Sequence, residues 1–156
     1  MTSLQKADEL VTQIDYCNPD IVQLVDSQKI ETYNKLKKEL PNVELMQVIH
    51  VIDKNSVKEA VEISKYVDFI LLDSGNPNLK IKVLGGTGTT HNWDLSREIV
   101  EQADVPVFLA GGLQPDNVAE AIEKIQPFGV DLCTGIRTNG YLNKDKTKLF
   151  FEAVNK

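Results

Sequence analysis

The chain has 156 residues and a formal net charge of −6, which is long enough for one domain with a sizeable core and the wrong sign for nucleic acid or an anionic membrane as partner. No run approaches the roughly 18 apolar residues of a membrane span, and the opening Met1-Thr2-Ser3-Leu4-Gln5-Lys6 has no apolar signal core, so a single cytoplasmic domain over residues 1–156 is expected. Cys17 and Cys133 show no CxxC or Cys/His spacing. They are expected as reduced thiols, with neither a disulfide nor a metal site. An anionic small molecule is still compatible with the charge, provided that local backbone donors and helix N-termini hold it against the global field.

Leu4, Ala7, Val11 and Ile14 recur at helical spacing, and after Asn18-Pro19-Asp20 the run Ile21-Val22-Gln23-Leu24-Val25 is a compact strand. A second amphipathic stripe, Ile30, Tyr33, Leu36 and Leu40, ends at Pro41-Asn42 and feeds a strand over Glu44-Leu45-Met46-Gln47-Val48-Ile49. His50, just after it, is expected at the surface. Ser56 is the expected N-cap of a helix using Val57, Ala60 and Val61, which leads into a third strand over Val67-Asp68-Phe69-Ile70-Leu71-Leu72, with Asp73 at its C-terminal end.

A long loop from Ser74 to Trp93 precedes a helix expected to be capped by Asp94, and Val105-Pro106-Val107-Phe108-Leu109-Ala110 makes the fourth strand. Gly111-Gly112-Leu113 then turns into a helix with Pro115 in its first turn and Val118, Ala121, Ile122 and Ile125 facing inward. Val130-Asp131-Leu132-Cys133 is the fifth strand, with Cys133 expected in the core. The last helix, from about Asp145 to Val154, is expected to bury Leu149, Phe150 and Ala153.

Strands alternating with helices imply right-handed crossovers and a parallel sheet. Length alone favours an open doubly wound sheet, because a closed eight-stranded barrel usually takes about 250 residues and seldom fewer than about 200. Glycine placement argues for the barrel. Gly85-Gly86-Thr87-Gly88-Thr89-Thr90, Gly111-Gly112 and Thr134-Gly135 follow the last three strands, where a barrel grips phosphate, whereas a nucleotide-binding sheet carries its phosphate loop after an early strand. Neither a Walker loop nor a strand–GxGxxG–helix fingerprint is present.

The stretch Leu71-Leu72-Asp73-Ser74, the run Gly85 to Thr90 ending at His91-Asn92-Trp93, Leu109-Ala110-Gly111-Gly112-Leu113 with Pro115-Asp116-Asn117-Val118, and Val130-Asp131 resemble phosphoribosylanthranilate isomerase in order and spacing. Similarity begins at Ile21-Val22-Gln23-Leu24, which resembles the family's fourth strand. The resemblance implies a partial (β/α)8 TIM barrel of about five parallel strands alternating with helices, corresponding to the C-terminal two-thirds of the family fold. It implies an Amadori rearrangement without a cofactor: a phosphorylated ribosylamine ring opens and a proton leaves C2 to give an aminoketose.

By the same resemblance Asp73 matches the general acid, at a strand end where a partly buried carboxyl can hold a raised pKa. Asp131 matches a position holding the anthranilate end of the ligand or its hydrogen-bond network. Phosphate contacts map onto Gly86, Gly88, Gly111, Gly112, Thr134 and Gly135. The family's general base, a cysteine in a first strand, has no counterpart here, since the chain is expected to begin in the helix after the third strand.

Other departures cluster near the expected pocket: Val25 where the family has histidine, Thr89 where lysine is common, His91-Asn92 where it has Phe-Asp, and Arg137 for an acidic residue. His91 and Arg137 read as replacement anion contacts or as solvated loop positions. Five strands of a closed barrel leave two open edges. A second copy of the chain or a complementing N-terminal fragment is the expected cover. Three readings follow: an isomerase of this type, a non-catalytic phosphosugar binder, and a fragment that completes another protein's barrel.

Overall fold

A computed structural model describes residues 1–74 and 92–155. The elements run α1 (Ala7–Cys17), β1 (Ile21–Leu24), α2 (Ile30–Glu39), β2 (Glu44–His50), α3 (Lys54–Ile63), β3 (Phe69–Asp73), α4 (Trp93–Gln102), β4 (Val107–Leu109), α5 (Val118–Ile125) and β5 (Gly129–Val130). A 3-10 turn over Thr134–Ile136, a small hairpin of β6 (Arg137–Thr138) and β7 (Tyr141–Leu142), and α6 (Lys144–Val154) complete the chain. Among the described residues no helix is long and apolar enough to cross a membrane.

The first five strands form one parallel sheet in the order β1-β2-β3-β4-β5. That order decides between the two architectures left open by the sequence. A doubly wound sheet reverses its strand order at a switch point and carries helices on both faces, whereas steps always in one direction, with right-handed crossovers, put every helix on the same face. The sheet is an arc of a (β/α) barrel.

Alternation along each strand sorts the side chains accordingly. Val22, Leu24, Leu45, Ile49, Ile70, Leu72, Val107 and Leu109 pack with Leu10, Ile14, Tyr33, Leu36, Ala60, Ile99, Ala121 and Ile125 of the helices in the main core. On the opposite face Val48, Leu71 and Ala110 form a separate cluster, with Met46 and Phe108 against it. Phe108 also meets Phe69 and Phe128 edge to face, at centroid distances of 5.8 and 5.3 Å.

Several boundaries move. Asp53, not Ser56, caps α3: its side chain accepts from Asn55 N, while Ser56 is the third helical residue and its hydroxyl accepts from the backbone in return, a capping box. Asn92, not Asp94, caps α4. Residues 114–117 form a turn held by Asn117 Oδ1 accepting from Gln114 N, so α5 starts at Val118 and Pro115 lies outside it. Leu149 and Cys133 are exposed, while Phe150 is buried. Nor does the chain begin in a helix: Thr2 makes a parallel bridge to Leu24, with Thr2 N donating to Gln23 O and Val25 N to Thr2 O, both at 2.9 Å.

One polar network crosses the main core. Gln47 is fully buried on β2, and its Oε1 accepts from the Tyr33 hydroxyl at 2.7 Å while its Nε2 donates to the carbonyls of Leu24, Val48 and Asp26. Gln28 N donates to the Tyr33 hydroxyl oxygen, and Gln28 Nε2 to Leu4 O and Asp26 O. The network therefore pins the loop after β1 to the strand beside it. Burial pushes the Tyr33 phenol up to about 12, against the hydrogen bond from Gln28.

Tyr33→Phe should lower the unfolding free energy in urea by about 1–3 kcal/mol, since it leaves Gln47 Oε1 without its donor. Wild-type stability should fall as pH rises from about 10, where an unfolded tyrosine ionises, towards the folded value of about 12, because only the unfolded state then loses the proton. In the variant that part of the alkaline decline should be absent.

Candidate active site

The C-terminal ends of β2 to β5 are level. Val51 N donates to Asp73 O at 3.1 Å, Ala110 N to Leu72 O at 2.7 Å and Asp131 N to Leu109 O at 2.8 Å. Asp73, the last residue of β3, has the same alternation as Leu71 and so lies on the face opposite the helices; it is 8 % exposed. Ser74 N donates to its Oδ1 at 2.8 Å.

Asp131 follows β5 at the edge of the described sheet and is exposed on its open side. Partial burial, and next the charge of Asp73, raise its carboxyl above the ordinary range, and the Leu132 N–H pulls it down. Two carboxylates at one barrel rim, one holding its proton to higher pH than usual, are the elements of acid–base chemistry.

Two of the three glycine turns interlock beside them. Gly111 and Gly112 have φ of 86° and 67°, conformations that other residues rarely adopt. A Cβ on Gly111 would come within 2.7 Å of Ser74 N, so this turn lies directly against the residue after Asp73. Gly135 is buried in the 3-10 turn, and a Cβ there would sit 1.9 Å from Leu113 O. Asn117 Nδ2 donates to Gly112 O, which ties the first turn to the start of α5. Thr134 opens the second turn and is exposed. Gly86 and Gly88, with Thr89 and His91, lie outside the described residues.

Sequence reasoning missed His50. It is no surface residue: it ends β2, is the register partner of Asp73 across the ladder, and shares the face of Met46 and Val48. Both ring nitrogens are buried without a hydrogen-bond partner among the described residues. A cavity of about 580 Å³ opens beside it, between the loops after β1 and β2, with Val48, Asp26, Asp53, Ser56 and Glu59 in its walls. The signal was available in the alternation Met46, Val48, His50, which puts the imidazole on the Asp73 face once the register is known. Cys17 ends α1, ahead of β1 and thus at the opposite end of the sheet, and it is exposed like Cys133. Arg137 is exposed in the hairpin, where its Nη1 donates to Gly140 O.

With this geometry in view, comparison with known proteins is decisive. The family model of N-(5'-phosphoribosyl)anthranilate isomerase matches residues 3–153. The chain belongs to that family. The phosphoribosylanthranilate isomerase of Methanocella arvoryzae is 39% identical over 128 residues, 82% of this chain and 58% of the relative. The solved structure of the Thermococcus kodakaraensis isomerase superposes with a TM-score of 0.75 at 27% identity, covering 98% of this chain and 72% of that one. A further isomerase structure, in complex with reduced 1-(o-carboxyphenylamino)-1-deoxyribulose 5-phosphate, has the same fold, with a TM-score of 0.73 at 22% identity over 99% of this chain and 69% of its own. The chain spans about three-fifths of the length of the Methanocella isomerase.

Gly135→Ala should force the 3-10 turn off Leu113 O, lowering stability by about 1–3 kcal/mol in a denaturant titration, because backbone cannot swing aside as a flexible side chain can. Asp131→Asn should do the reverse at neutral pH. A carboxyl raised in the folded state costs stability as pH climbs from the unfolded value of about 3.9 through the folded one, since the unfolded chain ionises first. The variant should therefore melt slightly above wild type at pH 7 and together with it in more acidic buffer than about pH 3.9.

Proposed function

We propose that the chain carries out the family's Amadori rearrangement, converting N-(5-phosphoribosyl)anthranilate to 1-(o-carboxyphenylamino)-1-deoxyribulose 5-phosphate. The observation that carries this reading is the coupling of Asp131 to Asp73 next to the interlocked Gly111-Gly112 and Gly135 turns. Backbone N–H groups of Gly111, Gly112, Thr134 and Gly135, with Gly86 and Gly88 of the preceding loop, hold the phosphate; backbone donors suit this because the chain's charge of −6 supplies no cationic field. Asp73 gives the ring oxygen a proton as the C1–O bond opens, and Asp131 bonds the ligand. No cofactor is needed, because hydrogen moves only as a proton between neighbouring atoms of one molecule.

The 156 residues make a single unit corresponding to the C-terminal two-thirds of the family fold. Support comes from the one-directional strand order and from Thr2, which lies along the outer side of β1 as a preceding strand does. The edges at β1 and β5 are covered by a second copy or by a fragment bearing the remaining strands, and a cytoplasmic setting fits a biosynthetic enzyme with two free thiols.

Asp73→Asn is the test, with turnover followed by the loss of substrate fluorescence and affinity by titration with the reduced product analogue. The variant should lose about 10²–10⁴-fold in kcat while still binding the analogue. Both proteins should be assayed alone and mixed with a fragment carrying three preceding strands. Binding without turnover in every combination would discard the enzyme and leave a phosphosugar-binding protein.

A further inference from the structure

We infer that His50 holds the hydroxyl-bearing C2–C3 edge of the substrate's ribose, as a residue that binds and selects the sugar and moves none of its protons; the inference rests on the isomerase reading. His50 ends β2 on the face opposite the helices and is the register partner of Asp73 on β3. Adjacent strands lie about 4.8 Å apart, so the two side chains reach neighbouring parts of one small ring. In a furanose the C2–C3 bond lies across the ring from the ring oxygen. With Asp73 at that oxygen, the group beside it meets the two vicinal hydroxyls.

The imidazole is placed for a partner that the described residues do not supply. Both ring nitrogens are buried and have no hydrogen-bond partner among those residues, and such groups cost stability until something pairs with them. A neutral imidazole offers one donor and one acceptor. A sugar hydroxyl is both donor and acceptor, so it satisfies whichever nitrogen faces it without a change of charge. The backbone under the ring is fixed: His50 O accepts from Ser56 Oγ at 3.0 Å, and Val51 N donates to Asp73 O at 3.1 Å. The cavity of about 580 Å³ beside His50 supplies the room.

Charge decides which part of the substrate lies there. Asp53 and Glu59 stand in the cavity walls with Gln5, Ser27 and Asn55, and among the described residues no lysine or arginine joins them. The carboxylates repel the phosphate and the anthranilate carboxylate alike, and the phosphate goes to the Gly111-Gly112 and Gly135 turns on the other side of Asp73. Of the uncharged parts only the ribose carries hydroxyls, which suit a wall of amides, a hydroxyl and an imidazole. A sugar without those hydroxyls leaves the imidazole unpaired, and a site built to bond a hydroxyl rejects such an analogue strongly. His50 thereby sorts phosphorylated glycosylamines by their sugar.

Titration with the reduced product analogue, whose chain keeps the sugar hydroxyls, tests this on the full protein, alone and mixed with a fragment carrying three preceding strands. His50→Leu, which removes both nitrogens, should weaken the analogue about 10-fold or more and leave the affinity for inorganic phosphate unchanged. His50→Gln, which keeps a donor and an acceptor, should recover most of that loss. In turnover the effect should fall on KM with little change in kcat. The chain has two histidines, His50 and His91, so ¹⁵N-histidine spectra of wild type and of His50→Gln assign the ring signals of the first. Saturating analogue should move them, and inorganic phosphate should not. Ring signals that stay put at saturation overturn the inference, as does a His50→Leu protein that keeps wild-type affinity for the analogue or loses phosphate to the same degree. Moved signals without turnover in any combination discard the isomerase and keep the sugar contact, whereas an analogue that binds neither alone nor with the fragment removes both.

Discussion

Everything in this protein follows from the one-directional order of its parallel strands. Right-handed crossovers then confine α1 to α6 to one side, and the other face of the sheet is lined only by residues of alternate parity. Asp73, Asp131 and His50 share that face at its C-terminal rim because Leu71, Ala110 and Val48 occupy it lower down. A slip of one residue in any strand would carry these groups into the helix-packed core. Burial of Leu72, Leu109 and Ile49 at neighbouring positions holds that register.

The glycine turns add a second constraint, which is steric. Gly111 and Gly135 are places where backbone meets backbone: one turn rests on Ser74 and the other on Leu113. Side chains at either point would separate the turns from each other and from Asp73. The same contacts bring the Gly111-Gly112 turn and the Thr134-Gly135 turn, far apart in sequence, to one end of the sheet, since each follows the C-terminal end of its strand.

Much of this was legible in the sequence, and the failures have physical causes. Five strands and the helices between them follow from short apolar runs, such as Ile21 to Leu24 and Phe69 to Leu72, alternating with longer amphipathic stretches. Asp73, Gly111, Gly112, Gly135 and Asp131 stood out as candidates because strand-end aspartates and glycine turns are local signals. The position of His50 beside Asp73 did not, because it depends on a register partner 23 positions away. The cap of α3 was misplaced because Ser56 participates in the capping box from the third helical position, while Asp53 completes it three residues earlier. Leu149 was assigned to the core from its helical spacing; that periodicity is real, but α6 has little packed against that side.

The main core between sheet and helices is extensive, whereas the opposite face buries only Val48, Leu71 and Ala110. Phe128 before β5, Leu149 and Phe151 on α6 and Ile21 on β1 are large apolar side chains left exposed, and they lie at the first and last parts of the sheet arc. Exposed apolar groups at both ends of an incomplete barrel are what further strands and helices would bury. The middle of the arc, β2 to β4, has neighbours on both sides and carries His50, Asp73 and the Gly111-Gly112 turn. The candidate residues His50, Asp73, Gly111 and Gly112 therefore stand on the best-supported strands, and the exposed apolar surface falls at the two ends of the arc.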